Sequence, residues 1–149
     1  MKSTVGKYII YHSKSIYHNI HNDIFFYSIV YLRYIDDIFF TSNQSLGAIN
    51  KMLDEANQYH PNIKLVRQIG KRVSFLDVQI EYECGILTTS VYHKTAAEPY
   101  VVPFNSDHSR YTFRNIIDTA LLRAVRYSST LSIFNEEQRR IRLMLLYNG

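Results

Sequence analysis

The chain has 149 residues, a length that accommodates one domain or two small ones. Apolar residues make up 46% of it and charged residues 20%, which excludes a disordered, collagen-like or low-complexity chain. Lysine and arginine together number 17 against 13 acidic residues, and the formal charge is +4 at pH 7. This mild basicity is compatible with a nucleic-acid partner but does not establish one.

Cysteine content and apolar runs bear on the cellular setting. Cys84 is the only cysteine, so an internal disulfide is excluded, and no cysteine and histidine cluster has the spacing of zinc ligands. No run approaches the ~18 apolar residues of a membrane span, and the N-terminus has no continuous apolar segment of the signal-peptide kind. We expect a soluble intracellular protein, with nucleus and cytoplasm both open.

The first interpretable segments form a predicted hairpin. Residues 1–28 show no clear periodicity and are left as a poorly defined N-terminal segment. The runs 29–34 and 38–41 are rich in β-branched and aromatic residues, which favours strands. Asp36 and Asp37 separate them, so the sequence predicts a hairpin with two carboxylates at its tip.

A helix and a second hairpin follow. From residue 45 to 59 the apolar residues fall on one helical stripe, which Pro61 terminates, and we expect this helix to cover the sheet. Residues 63–69 resemble a short strand. Alternating apolar residues then predict a second hairpin over 74–94, with its turn at residues 83–85. The fold class indicated is α+β.

The C-terminal third combines helical periodicity with basic charge. An apolar stripe between Ile116 and Ala124 predicts one helix, and Asn135 opens another as a candidate capping box. Residues 103–149 hold seven arginines and no lysine against four acids. Arginine is a planar, bidentate donor suited to phosphate, although a solvated helix surface explains the same composition. The candidate nucleic-acid contacts here are Arg110, Arg114, Arg123 and Arg126.

The paired aspartates admit two interpretations. Adjacent carboxylates supply hard oxygen ligands of the kind that a two-metal phosphoryl-transfer site requires. Aspartate is also a favoured turn residue, and the bare pair is more often turn chemistry. The wider segment 31–40 resembles the catalytic YxDD motif of reverse transcriptases, and the segments 75–78, 92–94 and 105–149 follow it in the order of Penelope-like retroelement reverse transcriptases.

This resemblance implies part of a right-hand polymerase, with a partial palm over residues 29–102 and a helical, thumb-like segment over 103–149. By position, Asp36 and Asp37 are the implied catalytic residues and ligands of Mg²⁺ or Mn²⁺. Tyr34 is implied to lie near the incoming nucleotide or primer end. Lys94 is a candidate contact to a primer phosphate. The implied partners are a template–primer and nucleoside triphosphates, and the reaction is RNA-directed DNA synthesis.

The upstream half of such a polymerase is not recognisable. Asp23 is the only acid before Asp36, and its setting does not resemble the strand that carries the family's other catalytic aspartate. We therefore expect a fragment that is inactive alone and needs segments supplied by a longer chain. Two alternatives remain open: a non-catalytic nucleic-acid-binding remnant that uses the arginine-rich helices, and a degenerate product with an exposed apolar surface.

Overall fold

The structure is a computed structural model that describes residues 7–12, 30–35, 37–58, 61, 65–94 and 102–148. For residues 7–12 it describes the backbone alone. Its described elements are three helices and two small antiparallel sheets, which confirms the α+β class. A polymerase palm is not confirmed. In chain order the elements are β1 (Lys7–His12), β2 (Val30–Tyr34), β3 (Asp37–Ser42), α1 (Leu46–Ala56), β4 (Val66–Gly70), β5 (Arg72–Phe75), β6 (Val78–Glu83), β7 (Ile86–Val91), α2 (Arg110–Tyr127) and α3 (Leu131–Tyr147).

The first sheet has the strand order β2-β3-β1-β4, and each neighbouring pair is antiparallel. Its inner strand β1 pairs on one side with β3 and on the other with β4, so that Tyr8 lies opposite both Thr41 and Gly70. This strand falls within the segment that sequence reasoning leaves undefined. Its signal is the β-branched and aromatic run from Tyr8 to Tyr11, which is typical of a strand.

The hairpin predicted around the paired aspartates is confirmed by the pairing of β2 with β3. Tyr34 and Asp37 form the last pair of the register before the turn. Ile35 lies in the turn with φ 50°, a left-handed conformation that costs a β-branched residue conformational energy. Asp36 lies outside the described residues.

Helix α1 covers the first sheet, as predicted. Its N-cap is Ser45, whose hydroxyl accepts a hydrogen bond from the Ala48 N–H at 3.2 Å. Leu53 and Phe40 are fully buried, and they belong to one apolar cluster that also contains Ile49, Ala56 and Leu65. The helix ends at Ala56, earlier than residue 59. Its C-cap is Asn57, whose side-chain oxygen accepts a hydrogen bond from the Leu65 N–H at 2.6 Å.

The second sheet has the order β5-β6-β7 and contains the second predicted hairpin. Its turn is confirmed at Cys84 and Gly85, where φ is 50° and 89°. The strands are shorter than the predicted 74–94. Leu76, expected to alternate within a strand, lies in a turn with φ 54° between β5 and β6. The alternating pattern of apolar residues therefore includes Leu76, which lies outside the strands.

The chain divides into two compact units, Met1–Leu76 with Ile80–Leu87 and Asp77–Gln79 with Thr88–Gly149. The first contains the first sheet, β5 and α1, and the second contains α2 and α3. The predicted division at residues 28 and 102 stays a prediction. Within the part of the chain described here, no helix has the length and apolar character needed to cross a membrane.

Candidate nucleic-acid interface

A turn of three residues joins α2 to α3. It consists of Ser128, Ser129 and Thr130. The Ser129 N–H donates a hydrogen bond to the Thr89 carbonyl, and the Thr89 N–H donates one to the Ser129 hydroxyl, both at 3.0 Å. Because this pair of bonds ties the turn to β7, the start of α3 has a defined position within its unit.

Helix α3 begins at Leu131, one turn before the predicted start at Asn135. The N-cap is Thr130, whose hydroxyl accepts a hydrogen bond from the Ile133 N–H at 3.3 Å. The local signal was the cluster of serine and threonine before the apolar residues, which is typical of a turn followed by an N-cap. Asn135 consequently lies inside the helix and does not cap it.

Removal of this cap is expected to destabilise the second unit. The change Thr130→Ala leaves the Ile133 N–H without its acceptor, so we expect the free energy of unfolding to fall by about 1 kcal/mol. Urea denaturation followed by circular dichroism measures it. The control Thr119→Ala lies on the exposed face of α2 and is expected to be neutral or slightly stabilising. Equal losses in both variants would contradict a capping role.

The buried side of α3 contains one carboxylate. Glu137 is 7% exposed and shares this side with the buried Ile141. The Nε2 atom of His93, which follows β7, lies 2.9 and 3.0 Å from the two oxygens of Glu137. Buried carboxylates require such partners, because desolvation of an unpaired charge is costly. The pair therefore fixes α3 to the segment that follows β7.

The opposite side of α3 presents four polar side chains of different chemistry. They occupy positions i, i+3, i+4 and i+7, which place them on one exposed helix face. We call this set the polar face: Ser132, Asn135, Glu136 and Arg139. Arg140 lies beside it and pairs with Glu136 at 3.4 Å. Arginine, asparagine and glutamate are the residue types that hydrogen-bond guanine, adenine and cytosine edges in DNA.

Among the predicted phosphate contacts, Arg123 forms an ion pair with a residue outside its own helix. Its guanidinium pairs with Asp77 at 3.2 Å, and its side chain is 39% exposed. The Nε atom is buried and has no hydrogen-bond partner among the described residues. Asp77, which lies in the turn between β5 and β6, therefore anchors α2.

The other predicted contacts are exposed at separate places. Arg114 pairs with Asp118 at 3.5 Å, and both side chains remain largely accessible. Arg110 is the first residue of α2, and Arg126 lies in its last turn, close to the connection with α3. Lys94 is exposed three residues after β7. The arginines of α2 thus do not form one compact basic patch, and their role in binding stays a prediction.

The predicted catalytic pair lies at the turn of the first hairpin. Asp37 is half-buried at the start of β3, Tyr34 is 56% exposed, and Asp36 lies outside the described residues. Burial raises the pKa of the nearby Tyr31 phenol above its ordinary value of 10.0, and the Arg33 charge partly opposes this. Over the described ranges, no three His, Cys, Asp or Glu side chains are grouped to hold a metal. The Mg²⁺ or Mn²⁺ site stays a prediction.

Comparison with known protein families bears on the helical pair. Residues 100–149 match the family model of the animal helix-turn-helix domain, and the match spans α2, the connecting turn and α3. A helix-turn-helix of the DNA-binding kind places its second helix in the major groove. No curated protein and no solved structure matches the chain.

The match overturns the identification as a Penelope-like reverse transcriptase, because the segment interpreted as a polymerase thumb matches a helix-turn-helix domain. The retrotransposon and nucleotidyltransferase assignments were wrong with it. Two motifs misled the interpretation: paired aspartates are common in turns, and arginine-bearing helices suit phosphate in many folds. Nucleic acid is the partner that the domain implies, in agreement with the non-catalytic alternative.

Proposed function

We propose that the protein binds double-stranded DNA through its C-terminal helix pair, with α3 as the recognition helix. The single observation that carries the proposal is the polar face on α3. It occupies the N-terminal half of the second helix, the part that contacts base edges in helix-turn-helix complexes. The major groove of B-DNA is about 12 Å wide and admits one α-helix.

The division of α3 into two sides supports this reading. The side with Glu137 and Ile141 is buried, so it is committed to the domain's own packing. Every member of the polar face is exposed and has hydrogen-bonding groups suited to a base edge, and Glu136 also pairs with Arg140.

Charge supplies the second requirement, affinity for the phosphate backbone. Residues 103–149 have seven arginines against four acids, and three of those acids already have partners in the described structure. Glu136 pairs with Arg140. Glu137 is buried against His93, and Asp118 pairs with Arg114. Arg126, in the last turn of α2, is the exposed arginine nearest in sequence to the recognition helix. We assign it to phosphate, since the first helix of the motif crosses the DNA backbone.

The test is selection of duplex DNA by the full chain, followed by affinity measurements on single variants. Arg139→Ala is expected to weaken binding to the selected site by about 1–3 kcal/mol and to relax the preference at one base pair. Arg126→Ala is expected to weaken binding to all duplexes alike and to reduce the salt slope by about one unit. Fluorescence anisotropy across a salt series measures both effects.

The matched control is Arg72→Ala, which removes one exposed arginine outside the helix pair. It is expected to leave affinity for the selected duplex almost unchanged. Equal losses for Arg72→Ala and Arg139→Ala would reduce the interaction to net charge. Absence of duplex binding at low salt, or tighter binding to single strands than to duplex, would exclude the major-groove mode.

A further inference from the structure

The C-terminal half of the helix pair borders a partly open cavity of about 540 Å³. Helix α2 contributes Phe113, Ile116 and Ile117, and α3 contributes Leu145 and Leu146. The cavity lies at the opposite end of α3 from the polar face, so it is distinct from the proposed DNA interface. Seven of its nine described lining residues are apolar.

The cavity has a defined wall on the side of residues 102–104. The Phe104 ring lies against the Phe113 ring with centroids 5.6 Å apart and planes inclined by 52°. The Phe104 N–H donates a hydrogen bond to the Asn148 carbonyl at 3.1 Å, which ties this wall to the end of α3. Phe104 is nevertheless 67% exposed and Leu146 is 77% exposed, so the described chain leaves much of this apolar surface open.

Arg142 is the only charged residue among the described lining residues. None of the described lining residues is acidic, and no ion pair joins Arg142 to a described carboxylate. A guanidinium presents parallel N–H donors that match a carboxylate in a bidentate manner. An apolar cavity with one convergent cation is the arrangement expected of a small-ligand site, and its volume lies in the usual range for such sites.

We propose that this cavity binds an amphipathic monocarboxylate, with its apolar body between α2 and α3 and its carboxylate on Arg142. The volume supports a ligand of this size. A cavity of about 150 Å³ accepts benzene, so this one accommodates two to three such rings or an alkyl chain of roughly ten carbons. The charge of Arg142 selects an acid over the alcohol of equal length.

The experiment is isothermal titration of the full chain with decanoate and with decanol, each below its aggregation concentration. The wild-type chain is expected to bind decanoate at least about tenfold more tightly than decanol, since a hydrogen bond to a charged group exceeds that of a neutral one. Arg142→Gln is expected to bring the two affinities together. Arg140→Gln removes the same charge from α3 outside the cavity and is expected to keep the preference.

Three results would overturn the proposal. Equal binding of decanoate and decanol by the wild-type chain would show an apolar surface without acid selectivity. A decanoate preference that survives Arg142→Gln would place the anion elsewhere. No heat of binding for decanoate up to millimolar concentration would exclude the site. Circular dichroism of each variant checks that the helices are intact, which is expected because Arg142 is exposed.

Discussion

The variant Phe40→Ala is expected to lower the free energy of unfolding of the first compact unit, which contains the first sheet and α1, by about 3–5 kcal/mol. Phe40 is fully buried in the cluster that joins β3 to α1, and its neighbours there include Ile49 and Leu53. Truncation removes the whole ring from this contact and leaves a void that the paired strands cannot close. Equilibrium urea unfolding, followed by far-ultraviolet circular dichroism, measures the loss.

The control for this prediction is Leu32→Ala on β2. Leu32 is 47% exposed, so it loses less buried surface on truncation, and we expect a cost below about 1 kcal/mol. The two substitutions lie on adjacent strands of the same sheet, with Leu32 opposite Phe39. If Phe40→Ala cost no more than Leu32→Ala, the cluster around Phe40 would not be the core of this unit.

The second large effect is expected on the recognition helix. His93→Ala removes the partner that the buried Glu137 carboxylate has among the described residues, with its oxygens 2.9 and 3.0 Å from His93 Nε2. A buried acceptor that loses its donor costs about 1–3 kcal/mol. We expect about 2 kcal/mol, because His93 is 48% exposed and its removal admits water. Urea unfolding of the helical signal measures this loss.

Two further variants identify the cause. His108→Ala removes an exposed imidazole that bonds only the Ser106 hydroxyl in the described structure, and little change is expected. His93→Ala combined with Glu137→Leu is expected to recover most of the stability, because no buried charge remains and the leucine suits the apolar side of α3. If the double variant were as unstable as His93→Ala, the loss of stability would come from the lost contacts of the imidazole ring and not from the unpaired Glu137 carboxylate.

The elements that sequence reasoning recovered are those with local signals. The apolar stripe of α1, the strands beside the paired aspartates, and the turn at Cys84 and Gly85 each depend on residues close together in the chain. Strand β1 depends instead on pairing with β3 and β4, and its short run carried little periodic information. Central strands of this kind are recognised by their partners more than by their own residues.

The candidate site shows the same limit. The arginine-rich C-terminal third favoured a nucleic-acid partner, because charge is readable from composition, and the helix-turn-helix match implies the same kind of partner. The sequence predicted that α3 starts at Asn135, whereas the helix starts at Leu131. Ser132 was therefore not recognised as part of its exposed face. Glu137 resembled a surface residue near a helix start, and its burial depends on His93, 44 residues earlier. No sequence window shorter than that distance contains both members of the pair.

The inner position of β1 also dictates an order of assembly during synthesis. This strand is synthesised before both of its partners, so one edge stays open until β3 has been made and the other until β4 ends at Gly70. Loop closure over such a separation is slow, and an unpaired strand rich in tyrosine and isoleucine is prone to associate with other chains. Helices α2 and α3 contact each other across a three-residue turn and meet no such delay. The helix pair therefore has a shorter route to its folded state than the first sheet has.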